Sequence, residues 1–462
     1  MTSAVGEKLN FLSASEASRL IRAGEISATE LLQDCFDQIH RLDAELKAWV
    51  HLNPNISFAE ARAIDEKVKS GARLGRLAGV PVGVKDIYNT RDMPTQMGSP
   101  IWKDFTPGND ARVVYSLRMA DAVVAGKTTT AEFAVHAPAP TGNPHNPAYM
   151  PGTSSSGSAV GVAAYMVPIA MGTQTAGSTL RPASYCGIFG FKPSFGVIPR
   201  TGMLKTTDSL DTVGFFARTP DDLEILFDVL RVHGRDYPIS EAAYSDETRQ
   251  SKGPRPWRIA LARGPKWNDA EHYAQQALLA FAKHVSNQPD IILTEIELSP
   301  SFSRAHDIHA IIYDKTLSYY FKEEFRQHTL ISPIMYEIIN RGNRITLETY
   351  QRALVEQSAL SKEFDALMTQ YDAILTLTTG GSAFKGLDSV DRPDSCLVWT
   401  LCGAPAVNLP VFQNDEGMPF GAQLVARRYN DILLLRLLRA LREQNIIPSR
   451  THPHPALADV EQ

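Results

Sequence analysis

Cysteine is scarce in this chain: four in 462 residues, Cys35, Cys186, Cys396 and Cys402, and no two form a CxxC pair. That spacing builds neither a disulfide framework nor a thiolate metal knuckle, so free thiols are the expectation. Long apolar runs are missing as well, and no stretch is long enough to span a bilayer as a helix. The first twenty residues, MTSAVGEKLNFLSASEASRL, lack the basic start and apolar core of a secretory signal. The expected location is cytoplasmic, with no membrane partner. Blocks of like charge are also absent, since 46 basic and 51 acidic residues are mixed along the chain and net to −5. With no basic stripe to follow a phosphate backbone, the sequence argues against nucleic acid as a partner.

Several catalytic signatures are missing too. No GxSxG nucleophile elbow occurs, and none of the twelve histidines stands in an HExxH or paired Cys/His pattern. His136 and His145 flank a Pro-rich loop and read as ordinary loop residues. A Ser-His-Asp hydrolase and a metal centre both lose their usual support, and no metal or organic cofactor is expected. Gly126-Lys127-Thr128 ends like a phosphate-binding loop, but the glycine required five positions earlier is Asp121. A carboxylate there would repel phosphate, and a structural turn is the simpler reading.

What is present is the composition of an ordinary globular protein, 44% hydrophobic and 21% charged. Ser13 with Glu16, and Ser27 with Glu30, have capping-box spacing, and Leu31, Leu32, Cys35 and Ile39 share a helical face. Residues 1–70 therefore read as N-terminal helices. From about Leu77 the texture changes to short apolar runs cut by Gly and Pro, such as LAGVPVGVKD, DAVVAGKTT and MVPIAMG. Buried strands alternating with helices leave this pattern, which predicts an α/β fold. The chain is expected to form one domain over 1–462: a core at 71–230, a more helical and polar section at 231–370, and a segment at 371–462 that completes the same sheet.

Two glycine- and serine-rich turns carry the candidate chemistry. PGTSSSGSAVGVAAYM opens a helix of small residues, and GTQTAGSTLRP places Ser178 24 positions after Ser154. Together they offer hydroxyls and exposed backbone N–H groups, which acyl transfer needs. A serine requires a base, and without a suitable histidine that base would be a lysine kept neutral by burial. Lys85 ends the apolar run GVPVGVK. Holding a lysine neutral means lowering its pKa from about 10.4 to about 7, roughly 4 to 5 kcal/mol that burial can supply. Spacing alone leaves an exposed lysine at a strand end as the simpler reading.

The stretches GVPVGVKDIYNT, PGTSSSGSAVGVAAYMVPIAMGTQTAGSTLRPASYCGIFGFKPSFG, DSLDTVGFFARTPDD and CGAPAVNLPV with GMPFGAQLV together resemble the amidase signature family of serine hydrolases. The resemblance implies a central mixed, mostly parallel sheet covered by helices on both faces. It also implies a Ser-cisSer-Lys triad made of Lys85 as base, Ser154 as bridge after a cis peptide from Thr153, and Ser178 as nucleophile. The backbone N–H groups of Thr175, Ala176, Gly177 and Ser178 would form the oxyanion hole. The implied activity is hydrolysis of a linear amide through an acyl-enzyme, with a carbamate or aryl ester hydrolase as the alternative. An amidotransferase subunit passing ammonia to a partner is the alternative of another class. The implied partner is otherwise a small-molecule amide or carbamate, with the chain a monomer or homodimer. Thr153, Phe133, Tyr313 and Phe384 are candidate substrate-pocket residues. Four positions depart from the commonest family pattern: Thr153, Ala176 and Asp121 replace glycine, and Gln174 replaces aspartate. Arg181 lies three residues after the nucleophile, where two is frequent, and the roles of Gln174 and Arg181 are open at this stage.

Overall fold

A computed structural model describes residues 8–234, 237–388 and 391–451. The N-terminal helices begin where the sequence places them. Ser13 and Ser27 cap the helices Ala14–Ala23 and Ala28–Leu46, each with its reciprocal glutamate bond in place. Leu31, Leu32, Cys35 and Ile39 are buried on one face of the second helix.

Among the described residues eleven strands form one sheet: β1 (Trp49–Leu52), β2 (Pro81–Lys85), β3 (Val123–Thr128), β4 (Ile169–Gln174), β5 (Phe189–Lys192), β6 (Thr212–Ala217), β7 (Trp257–Ala262), β8 (Ile291–Ile296), β9 (Ala373–Leu377), β10 (Ala406–Gln413) and β11 (Pro419–Val425). Their order is β1-β3-β2-β4-β6-β5-β10-β11-β9-β7-β8. Helices cover both faces, and β2, β3, β4, β6, β9 and β11 are buried along their whole length. Such two-sided burial is why these strands read as short apolar runs and not as alternating patterns.

The sheet is mixed but not mostly parallel. Parallel pairing joins β2 to β3 and β4, and β7 to β8 and β9. The other six pairings are antiparallel. Apolar runs buried on both faces carry no signal of direction, so nothing in the strands themselves could check the mostly parallel sheet that the resemblance implied. The final stretch does join the same sheet, because β10 and β11 sit between β5 and β9. The section at 231–370 supplies β7 and β8 at one edge, together with helices His272–Ser286, Ala305–Tyr320, Pro333–Arg344 and Leu347–Leu367.

Gly126-Lys127-Thr128 is interior strand and not a turn. Lys127 on β3 is buried, donating to Pro94 O at 2.8 Å and Thr95 Oγ1 at 2.7 Å, and pairing with Asp86 at 3.1 Å. Its amine is consumed by these partners. Among the described residues no helix is long and apolar enough to cross a membrane.

Candidate catalytic site

Adjacent parallel strands β2 and β4 end at the same side of the sheet and carry Lys85 and Thr173. Between them in sequence, Thr153–Ser155 form one tight turn leading into the helix Ser156–Ala163. Small residues are compulsory in this helix: a Cβ on Gly157 would lie 2.2 Å from Ala48 O. The close approach brings three hydroxyls around one amine. Lys85 Nζ is 2.9 Å from Ser154 Oγ, 3.0 Å from Ser155 Oγ and 2.9 Å from Thr173 Oγ1.

Lys85 is fully buried, and desolvation drives its pKa well below the ordinary 10.5; the Asp211 charge opposes that shift and Arg181 adds to it. A protonated amine donates to all three hydroxyls, whereas a neutral one has two N–H bonds and a lone pair, so one hydroxyl must then donate to it. Ser154 Oγ donates to Ala134 O at 2.9 Å, a bond it would give up in order to donate to the amine.

The expected cis linkage before Ser154 is not present: no cis peptide occurs among the described residues. The chain turns instead through left-handed backbone at Gly152 (φ 104°) and Thr153 (φ 61°). A β-branched residue in that region is an outlier, which accounts for glycine being usual at position 153. Thr153 is held there by its hydroxyl, which donates to Asp391 Oδ2 at 2.5 Å. Asp121, the other residue standing for a usual glycine outside this turn, is also left-handed (φ 62°).

Ser178 lies between β4 and the short helix Leu180–Cys186. Its hydroxyl has no hydrogen-bond partner among the described residues, and neither do the N–H groups of Thr175, Ala176, Gly177 and Ser178. Their carbonyls, by contrast, are held from behind. Thr175 O accepts from His309 Nε2 at 2.9 Å, Ala176 O from Thr400 Oγ1 at 2.7 Å, and Gly177 O from Arg181 N at 2.8 Å. In a trans peptide the C=O and the following N–H point in opposite directions. Anchoring these three oxygens therefore aims the N–H groups of Ala176, Gly177 and Ser178 the other way, as a row of free donors.

The two positions that sequence left open acquire physical roles. Gln174 Oε1 accepts from the N–H groups of Thr179 and Leu180, both at 2.9 Å, and its Nε2 donates to Thr400 Oγ1 at 2.9 Å. The glutamine thus closes the start of the next helix and orients the hydroxyl that holds Ala176. Arg181, only 2% exposed, is clasped by Asp394 at 2.5 Å and Asp391 at 3.0 Å. Burial opposes its charge, but the two carboxylates overcome that and hold it protonated. Asp394 in turn explains Gly177, where a Cβ would lie 2.3 Å from Asp394 Oδ1. Arg181→Met would leave two carboxylates buried without their cation, an arrangement that costs about 3–5 kcal/mol. Denaturant unfolding at neutral pH should show that loss, and a change below about 1 kcal/mol would mean the cluster relaxes into water.

Beside the turn lies a cavity of about 440 Å³ whose walls include Ala176, Arg181, His309, Tyr313, Leu397 and His136. Of the four sequence-predicted pocket residues, Tyr313 lines it, while Thr153 sits on Asp391, one of the wall carboxylates. Phe133 does not reach the cavity but packs in the core, 4.8 Å from Phe321, and Phe384 lies under the Arg392 guanidinium at 3.9 Å. Aromatic character alone did not separate wall from packing. His136, read from sequence as a loop residue, is an exposed residue on the cavity wall. His309, Thr400, Asp391 and Asp394 were not singled out, because they lie from 130 to more than 200 residues from the groups they touch. Ser155, Thr173 and Asp211 stood within the quoted motifs. Asp211 accepts from Thr175 Oγ1 at 2.8 Å and from the backbone and hydroxyls of Thr206 and Thr207.

Known proteins resemble this chain in sequence and in fold. A glutamyl-tRNA(Gln) amidotransferase subunit of Chloroflexus aurantiacus is 32% identical over 478 residues, covering 93% of this chain and 96% of the relative. The solved peptide amidase of Stenotrophomonas maltophilia superposes with a TM-score of 0.81 at 26% identity, over 96% of this chain and 98% of the other. The corresponding glutamyl-tRNA(Gln) amidotransferase subunit from Thermotoga maritima gives 0.79 at 25% identity, over 97% and 99%. Residues 30–435 match the Amidase family as a whole, and this chain belongs to that family, the amidase signature enzymes.

Proposed function

We propose that the chain hydrolyses a linear amide through an acyl-enzyme on Ser178. The observation that carries this reading is the buried Lys85 amine, 2.9 Å from Ser154 Oγ, in a setting that favours its neutral form. Neutral Lys85 takes the Ser154 proton as Ser154 takes that of Ser178, and Ser178 Oγ attacks the carbonyl carbon. The developing oxyanion falls to the free N–H groups of residues 175–178. The proton returns along the same path to the leaving nitrogen, the C–N bond breaks, and the amine or ammonia departs. Water then adds to the acyl-enzyme, giving up its proton to the relay, and releases the acid. The cavity of about 440 Å³ is of small-molecule size, with Tyr313 and Leu397 offering apolar wall to the substrate.

The same attack serves a carbamate or aryl ester. A second reading, favoured by the amidotransferase names of the similar sequences, is a subunit that releases ammonia for a partner protein. Both are tested by offering the purified chain a panel of primary amides, anilides, aryl esters and carbamates. Turnover of simple amides without any partner is expected. Activity confined to glutamine and dependent on an added partner would establish the amidotransferase reading instead.

A further inference from the structure

His309 comes from the helix Ala305–Tyr320, in the more helical section at 231–370. It is 4% exposed, yet it forms part of the cavity wall. Its ring stacks on Tyr313, one helical turn onward on the same face, with centroids 5.5 Å apart and planes at 22°. His136 meets the same Tyr313 edge-on at 5.6 Å. The ring plane is thereby fixed, and Nε2 lies 2.9 Å from Thr175 O. A carbonyl only accepts, so Nε2 must carry the proton.

We propose that His309 is a positioning residue for the oxyanion hole: its Nε2–H holds the Thr175 carbonyl so that the Ala176 N–H in the same peptide plane points at the reacting oxygen. This rests on the reading of residues 175–178 as oxyanion donors. The other two anchored carbonyls are held from the signature turn and the segment that packs against it, through Arg181 N and Thr400. Of the three, only the Thr175–Ala176 peptide is held from the helix Ala305–Tyr320. Burial keeps the imidazole neutral, with its pKa lowered to about 4. The ring is therefore a donor of fixed tautomer throughout the neutral range, and a dipole in line with the peptide it holds. A hydrogen bond at the carbonyl also strengthens the N–H at the other end of the same amide. Loss of the bond would let the peptide plane rock and would weaken the donor only where charge develops, in the transition state.

The experiment compares His309→Ala, His309→Asn and His309→Gln in the full chain. The Gln amide nitrogen can reach the place of Nε2, and the shorter Asn cannot. Ala and Asn variants are expected to lose roughly 10- to 100-fold in kcat, less than the loss of a whole oxyanion donor, with KM within about threefold of wild type. Gln should recover most of the rate, and the rising alkaline limb of the pH profile should keep its midpoint in all three. Affinity for a trifluoromethyl ketone, whose serine adduct carries an oxyanion, should fall in parallel with kcat/KM. Three results each overturn the proposal: Ala and Asn variants within twofold of wild type, a folded Gln variant no better than Asn, or ketone affinity unchanged while kcat falls. Fluorophosphonate labelling of wild-type Ser178, read by mass spectrometry, is run alongside. Its absence would sink the acyl-enzyme reading itself, whereas labelling with an indifferent His309 would sink only this inference.

Discussion

Ser178→Ala is expected to lose turnover by about 10⁶-fold, the scale seen when a nucleophile is removed from a serine hydrolase triad, and to lose all labelling by a fluorophosphonate. The structure discriminates Ser178 from the hydroxyls around it. Ser154 and Ser155 are wholly buried against Lys85, and Thr175 donates to Asp211. Thr179, the immediate neighbour, points the other way: a Cβ on Gly214 of β6 would lie 2.3 Å from its Oγ1. Of these residues only Ser178 combines some exposure, 7%, with an uncommitted hydroxyl, since Thr175 is spoken for and Thr179 is sealed. Its place between the free donors and the short helix leaves a carbonyl approaching it within reach of those donors. Alanine there keeps the backbone N–H and the fold, so the melting temperature should stay within a few degrees. Residual turnover above about 1% of wild type, in protein free of contaminating enzyme, would mean that another group attacks.

What could be read from the sequence was what neighbouring residues decide. The capping boxes at Ser13 and Ser27, the buried runs that became β2, β3 and β4, and the small-residue turn around Ser178 all depend on contacts a few residues apart. Strand direction was not legible, because a run such as GIFGFK looks the same whether its neighbour is parallel or antiparallel. The Asn414–Met418 turn between β10 and β11, with Asp415 and Gly417, is a hairpin signal that could have been used. In the site, spacing alone leaves Lys85 as an exposed strand-end lysine, and only the resemblance joins it to Ser154 and Ser178 as candidates. The supports of these residues were not legible. Gln174 makes sense only beside Thr400, and Arg181 only beside Asp391 and Asp394, partners fixed by the fold with no periodicity linking them. The substitution of Gln for a frequent Asp at 174 is intelligible once its two amide ends are seen to face different elements, a task one carboxylate cannot do because it has no donor.

Lys85→Ala and Lys85→Met are expected to reduce kcat/KM by about 10³- to 10⁴-fold, toward the upper end of what a positioned base contributes, and to abolish its rise with pH. The sign follows from the burial of the amine. Its pKa lies well below the ordinary 10.5 because desolvation disfavours the cation, with Asp211 opposing and Arg181 reinforcing the shift. Below that lowered pKa the amine is protonated and cannot accept from Ser154; above it the lone pair is available. Wild-type activity should therefore climb with pH as one proton is lost and then level off, with a midpoint well below 10.5. Removing the amine removes the climb. The same shift fixes the stability dependence: the folded chain gives up this proton at lower pH than the unfolded one, whose lysine titrates near 10.4. Below the folded pKa, protonation is equal in both states and the penalty for burying the charge is constant. Between the folded value and about 10.4 the native state gains stability as pH rises. Thermal melts at pH 7 and pH 9.5 should show a smaller alkaline gain in Lys85→Met than in wild type, because methionine carries no proton to lose. Full turnover in either variant would remove Lys85 from the proton path, and an acid optimum in the wild type would require a base of another kind.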